Sequence, residues 1–216
     1  MQILKAKDLK SEKVTALIYG PPGIGKTSAL GALPGKTLII DVDRGTSVLK
    51  GSENVDIIRL TEDLSGLPEV LKEFGGKCPY DNVCIDSLSE LERGMLAAYG
   101  RKGSNDGVPN LQDYGRVNYK LVDYCRQYRA LDANIIFTAW EDRREIVAPT
   151  GEKYTQVCPL LRDKVVDNIC GLCDVVGQIS VSAKDGERYI RLEGSQGLVA
   201  KDRIKKRKFI KIGEEL

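Results

Sequence analysis

The chain has 216 residues, with Lys+Arg 33 set against Asp+Glu 31 and no histidine. That length suits one domain able to bury its own core without disulfides or a structural metal, and a net charge of +2 argues neither for nor against nucleic acid as a partner. The missing histidine excludes Ser-His-Asp and Cys-His catalysis and every His-containing metal site.

The opening stretch MQILKAKDLKSEK carries four lysines and no apolar run, so it does not read as a secretion signal. No apolar run in the chain approaches the ~18–20 residues of a membrane span. A soluble cytoplasmic protein with no membrane partner is expected. Residues 14–19 (VTALIY) then form a strand that ends in a Gly/Pro-rich turn, with a helix expected over 27–33. Strands follow at 37–41 (TLIID), more weakly at 55–60, and at 82–86 (NVCID) and 134–140 (NIIFTAW). Near-continuous apolar strands of this kind suit a parallel sheet covered on both faces. Helices are expected between them at 67–74, 89–99 and 112–131, the last with Tyr114, Val117, Leu121, Tyr124, Tyr128 and Leu131 at helical spacing. Residues 100–109 (GRKGSNDGVP) read as a loop. Beyond residue 140 the texture changes. A hairpin (REIVAP-TGE-KYTQV), a helix over 160–173, and a second hairpin from 174–182 and 188–193 are expected. The fold class is α/β with a mostly parallel central sheet flanked by helices and antiparallel hairpins toward the C-terminus.

Six cysteines, at 78, 84, 125, 158, 170 and 173, read as reduced and mostly buried thiols. The one CxxC, Cys170 to Cys173, has only Cys158 near it in sequence, too few ligands for zinc.

Gly20-Pro21-Pro22-Gly23-Ile24-Gly25-Lys26-Thr27, followed by Ser28, fits G-x-x-x-x-G-K-[ST] between a strand and a helix. Glycines there let backbone N–H groups curl around a phosphate, and the helix start adds a positive dipole. Lys26 would reach the β- and γ-phosphates of ATP, and the Thr27 hydroxyl would bind Mg²⁺. Asp86 ends a buried strand and can hold the metal through water. Its neighbour is Ser87, where many AAA-type ATPases place a water-activating Glu. The catalytic carboxylate must then come from elsewhere, and the second strand ends Asp41-Val42-Asp43. The two carboxylates alternate in direction, so one faces the crevice. Asp43 is favoured, with Asp41 the alternative.

GPPGIGKTS, LIIDVDRG, VCIDSLSEL, LQDYGRVN, NIIFTAWED and VAKDR, in that order over about residues 12–205, resemble the RecA-like ATPase core. More closely, they resemble the short phage-encoded RecA-core proteins of the single-strand annealing (Sak) group. The resemblance implies a P-loop NTPase in which Lys26 and Thr27 bind ATP–Mg²⁺, Asp86 holds the metal and Asp43 orients the attacking water. Thr138 would sense the γ-phosphate, although Ala139-Trp140 stands where relatives often place Ser-His. It also implies a homo-oligomer, ring or filament, on single-stranded DNA in the host cytoplasm, aided by a single-strand DNA-binding protein. The loops facing DNA would be 100–109 and 141–162, with Arg101, Lys102, Arg143, Arg144 and Lys153 on phosphates and Trp140 or Tyr154 against a base. Residues 1–200 then form the ATPase core and 201–216 a basic tail. Lys201-Asp202-Arg203 resembles the Lys-Asn-Arg element that RecA-like assemblies insert into a neighbour's site. The chain offers the γ-phosphate no obvious second cation of its own. The expected activity is DNA-stimulated ATP hydrolysis driving annealing or strand exchange. An AAA-type loader and a small-molecule kinase are the alternatives.

Overall fold

The computed structural model describes residues 5, 13–60, 64 and 66–216; all but one residue of the lysine-rich opening before Lys13 lies outside them. In chain order the elements are β1 (Thr15–Gly20), α1 (Lys26–Gly31), β2 (Thr37–Asp41), β3 (Val55–Arg59), α2 (Gly66–Phe74), β4 (Asn82–Asp86), α3 (Leu88–Lys102) and α4 (Leu111–Arg129). There follow β5 (Asn134–Val147), β6 (Lys153–Pro159), α5 (Asp163–Leu172), β7 (Val175–Val181), β8 (Arg188–Arg191), β9 (Lys201–Asp202) and β10 (Phe209–Lys211). One ten-stranded sheet runs β10-β8-β7-β1-β5-β4-β2-β3, with β6 paired to β5 and β9 to β7. From β7 to β3 every pairing is parallel, as the continuous apolar strands require.

Alternation along each strand feeds two apolar layers. Leu17 and Tyr19 of β1, with Leu38, Ile40, Val83 and Ile85, pack under α2, α3, α4 and α5. Ala16 and Ile18 face the other way, onto Ala29 and Leu30 of α1 and onto Ile190 and Ile210 of the C-terminal strands. Tyr128 of α4 is fully buried in the first layer and donates to the Leu67 carbonyl at 2.9 Å.

The structure departs from the expected elements in three places. The fifth strand does not stop at Trp140. It continues to Val147 and carries the antiparallel β5–β6 hairpin beyond the parallel sheet. α3 runs through Lys102, so Arg101 and Lys102 sit in its last turn, where cations favour the helix dipole. Residues 201–216 do not trail as a solvated tail. β9 pairs with β7, β10 pairs with β8, and Asp202 organises the turn between them. Its carboxylate accepts from the amides of Ile204, Lys205 and Arg207 and from Arg207 Nε at 2.7 Å. All six cysteines are free, and burial raises the thiol pKa of five of them, that of Cys170 to about 12. Among the described residues no helix is long and apolar enough to cross a membrane.

Candidate nucleotide site

The parallel topology places the carboxyl ends of β1, β5, β4 and β2 side by side, and every strand end contributes to one crevice. β1 ends at Gly20 and opens directly into the loop that α1 closes. Gly23 and Gly25 take φ of 78° and 101°, a region that costs other residues strain, so the glycine spacing follows from backbone geometry. Lys26 is buried at the start of α1, and its Nζ donates to the carbonyls of Gly20 at 2.9 Å and Pro21 at 3.0 Å. Burial pulls its pKa below the usual lysine value, an effect opposed by the charges of Asp86, Asp43 and Glu141. Pro21, Pro22, Gly23 and Ser28 are exposed along the loop, and Ile24 is half-buried.

At the second residue of α1, Thr27 Oγ1 donates to Asp86 Oδ2 at 2.6 Å. The other Asp86 oxygen accepts from Thr138 of the intervening strand β5. Burial raises the Asp86 pKa, the two threonine hydrogen bonds oppose it, and the charges of Asp43 and Asp41 add to it. A desolvated carboxylate with a hydroxyl oxygen beside it is a hard-oxygen donor pair suited to Mg²⁺. Thr138 is fully buried behind Asp86, so any response to a phosphate would pass through that carboxylate.

The two carboxylates of the second strand separate cleanly. Asp41 turns into the fold, accepting from Thr46 Oγ1 at 2.6 Å and from the Gly45 amide at 3.1 Å. Asp43 turns toward β4. It accepts from Ser87 Oγ at 2.9 Å, from the Ser87 amide at 3.1 Å and from Trp140 Nε1 at 3.3 Å. The Asp86 carbonyl, bonded to the amides of Val42 and Asp43, holds the two strand ends together.

Ser87, Glu141 and Glu90 carry no expected role, and Trp140, expected against a base, is bonded within the site. Ser87, through its hydroxyl and its amide, grips Asp43. Trp140 lies under the Arg93 guanidinium, 4.4 Å from the ring centroid, with its amide donating to Ser89 Oγ. Glu141 of β5 accepts from Gln178 of β7 at 2.7 Å, so the two close over the end of β1 between them. Glu90 of α3 has its pKa raised by burial and by the Asp43 charge. Ser87, Trp140 and Glu141 adjoin strand ends that the sequence does display. Their partners come from distant segments, which no local pattern reveals.

Of the remaining expected residues, Arg143 approaches this crevice through Glu141. Arg143 is exposed on β5, its nearest carboxylate being Glu141 at 4.0 Å. Arg144 alternates to the other face and is spent on the fold, donating to the Leu161 carbonyl at 2.7 Å and pairing with Asp163 at 3.1 Å. Lys153 pairs with Glu145 across the hairpin at 2.8 Å. Arg101 and Lys102 are exposed at the end of α3. Lys201 and Arg203 are at the opposite end of the sheet: the Arg203 amide bonds to the Asp174 carbonyl, level with Thr15 at the start of β1. Strand rise puts that roughly 16 Å from Gly20. Arg203 donates to the Gly171 carbonyl at 3.2 Å and lies 3.9 Å from Asp174.

A family model described as an AAA domain, AAA_24, matches residues 12–204, almost the whole chain. The chain belongs to this family. With the strand order and loop above, this AAA domain has the fold of a RecA-like P-loop ATPase. Solved structures with similar backbones include a KaiC-like protein from Pyrococcus horikoshii OT3, with TM-score 0.47 and 13% identity over 86% of this chain and 80% of that one. The RadB recombinase gives 0.46 and 16% over 82% and 79%. The flagellar accessory protein FlaH from Methanocaldococcus jannaschii gives 0.47 and 15% over 93% and 87%. No curated protein matches the chain.

Proposed function

We propose that this protein binds and hydrolyses ATP with Mg²⁺, and that it works as a homo-oligomer on single-stranded DNA, promoting annealing or strand exchange. The observation that carries the hydrolytic reading is the bonded chain Thr27–Asp86–Thr138 with Asp43 beside it on Ser87. Lys26 would leave its two backbone carbonyls for the phosphates. Thr27 and Asp86 would hold Mg²⁺, which when bound neutralises charge on the phosphate oxygens. Asp43, fixed by Ser87 and Trp140, would accept a hydrogen bond from the attacking water and orient it toward the γ-phosphorus. The products are ADP and phosphate.

The DNA and oligomer readings rest on other residues. Arg143 is an exposed cation on a hairpin that projects past the carboxyl ends of the parallel strands. Lys201 and Arg203 are too far from their own phosphate loop to act on it, which suits action on a neighbouring copy. Measuring hydrolysis with and without single-stranded DNA tests the proposal. Stimulation, together with an affinity that falls with salt by a slope of roughly −0.7 per phosphate neutralised, is expected. A rate and an affinity both indifferent to DNA would remove the DNA reading and favour the loader.

A further inference from the structure

The cation that the sequence does not reveal at the phosphate loop is present in the fold. β8 pairs with β7 so that Val181 faces Arg188 and Ile179 faces Ile190. Alternation sets Arg188 and Ile190 on one face and Tyr189 and Arg191 on the other. Ile190 packs in the apolar layer that holds Ala29 and Leu30 of α1. Arg188 is therefore on the α1 side of the sheet, two residues further toward the carboxyl end of β7, where the phosphate loop lies. It reaches that loop. A Cβ built on Gly25, the residue before Lys26, would meet Arg188 Nε at 3.3 Å, Cδ at 3.4 Å and Cζ at 3.8 Å.

Nothing in the described fold occupies this guanidinium. Among the described residues it has no hydrogen-bond or ion-pair partner. The nearby carboxylates of its own hairpin are engaged elsewhere, Glu187 with Lys211 at 2.8 Å and Asp185 with the Tyr189 hydroxyl at 3.2 Å. An exposed arginine laid against a phosphate loop, with its planar donor fork unused, has the shape and charge to bind phosphate oxygens.

We propose that Arg188 is a nucleotide-binding residue: a second cation for the phosphates of ATP, supplied in cis by the β7–β8 hairpin beside Gly25. This rests on the ATP reading above. It predicts that the β7–β8 hairpin closes on the loop from the side opposite Asp43, so the phosphates are held between two elements far apart in sequence.

The test is the affinity of the intact protein for a fluorescent ATP analogue with Mg²⁺, in wild type, Arg188→Ala, Arg188→Lys and Lys26→Ala. Arg188→Ala should bind about ten-fold or more weakly, the size of a lost charged hydrogen bond, and its KM for ATP should rise. Arg188→Lys should recover part of the loss. The nucleotide-free melting temperature should stay unchanged, because the side chain bonds to nothing else among the described residues. If Arg188→Ala melts early, Arg188→Gln, which keeps the aliphatic stem and a polar end without the charge, makes the same comparison. Wild-type affinity in the folded Arg188→Ala or Arg188→Gln variant, with Lys26→Ala binding lost, overturns this inference alone. A wild-type protein that binds no nucleotide overturns both it and the reading beneath it.

Discussion

Thr27 and Asp86 stand 59 residues apart in the chain, yet their oxygens approach to 2.6 Å, and the same crevice sorts two nearly adjacent aspartates into different tasks. Asp41 is consumed by a turn, while Asp43 is held open to the site by Ser87 and Trp140. Removing the Ser87 hydroxyl leaves Asp43 one strong donor fewer without touching the phosphate loop. Ser87→Ala is therefore expected to lower turnover about ten-fold, the equivalent of roughly 1.4 kcal/mol in the barrier. ATP affinity should stay near that of the wild type. Steady-state kinetics beside equilibrium binding separates the two. Trp140 is the sole tryptophan, and its indole donates to Asp43, so its emission should change when Mg²⁺-ATP binds. An indifferent emission in a protein that binds ATP would mean Asp43 does not move or change partners with nucleotide.

At the scale of elements, the strands were the most legible part of the sequence. The stretches 37–41 and 82–86 form strands with those bounds because each is an apolar run ending in a carboxylate at a buried sheet. The β5–β6 hairpin was less so. Polar alternation after Trp140 reads as a new strand, and only pairing with β6 shows that β5 never breaks. The same pairing decides which arginine is exposed. Arg144→Ala removes a charged donor from the Leu161 carbonyl and a pair with Asp163, and should cost about 1–3 kcal/mol, or several degrees in melting temperature. Arg143→Ala should leave the melt unchanged and, on the DNA reading, weaken binding. Calorimetry on both variants checks the contrast. Glu92 of α3 gives a pH-dependent prediction. It is buried, accepts from the Arg162 amide, and has its pKa raised chiefly by desolvation. A raised folded-state pKa means its ionisation opposes folding, so its stabilising share is full at acid pH and lost as pH rises through that value. Glu92→Gln keeps an acceptor without the charge. It should melt at or above the wild-type temperature at pH 7, and the difference should shrink on acidification. A variant that melts lower at pH 7 than at pH 4, relative to wild type, contradicts this.

At the scale of the whole molecule, the parallel sheet concentrates the proposed chemistry at one end and leaves Lys201 and Arg203 at the other. A phosphate-loop motif is visible in sequence because its chemistry is local. The Asp43 clamp, the Glu141–Gln178 bond and the approach of Arg188 are not, because each joins segments that only strand order brings together. If Arg203 acts on a neighbouring copy, Arg203→Ala and Lys26→Ala proteins should each be nearly inactive alone and recover part of the rate when mixed. A fully active Arg203→Ala protein would end that reading. The hydrolytic site itself is tested most directly by following nucleotide binding and phosphate release on the same preparations of wild type and Asp43→Asn, with Mg²⁺. Wild type should bind ATP and release phosphate continuously. Asp43→Asn should bind with comparable affinity and release almost none. Phosphate release by Asp43→Asn at the wild-type rate, or a wild type that holds Mg²⁺-ATP and never turns it over, would contradict the account.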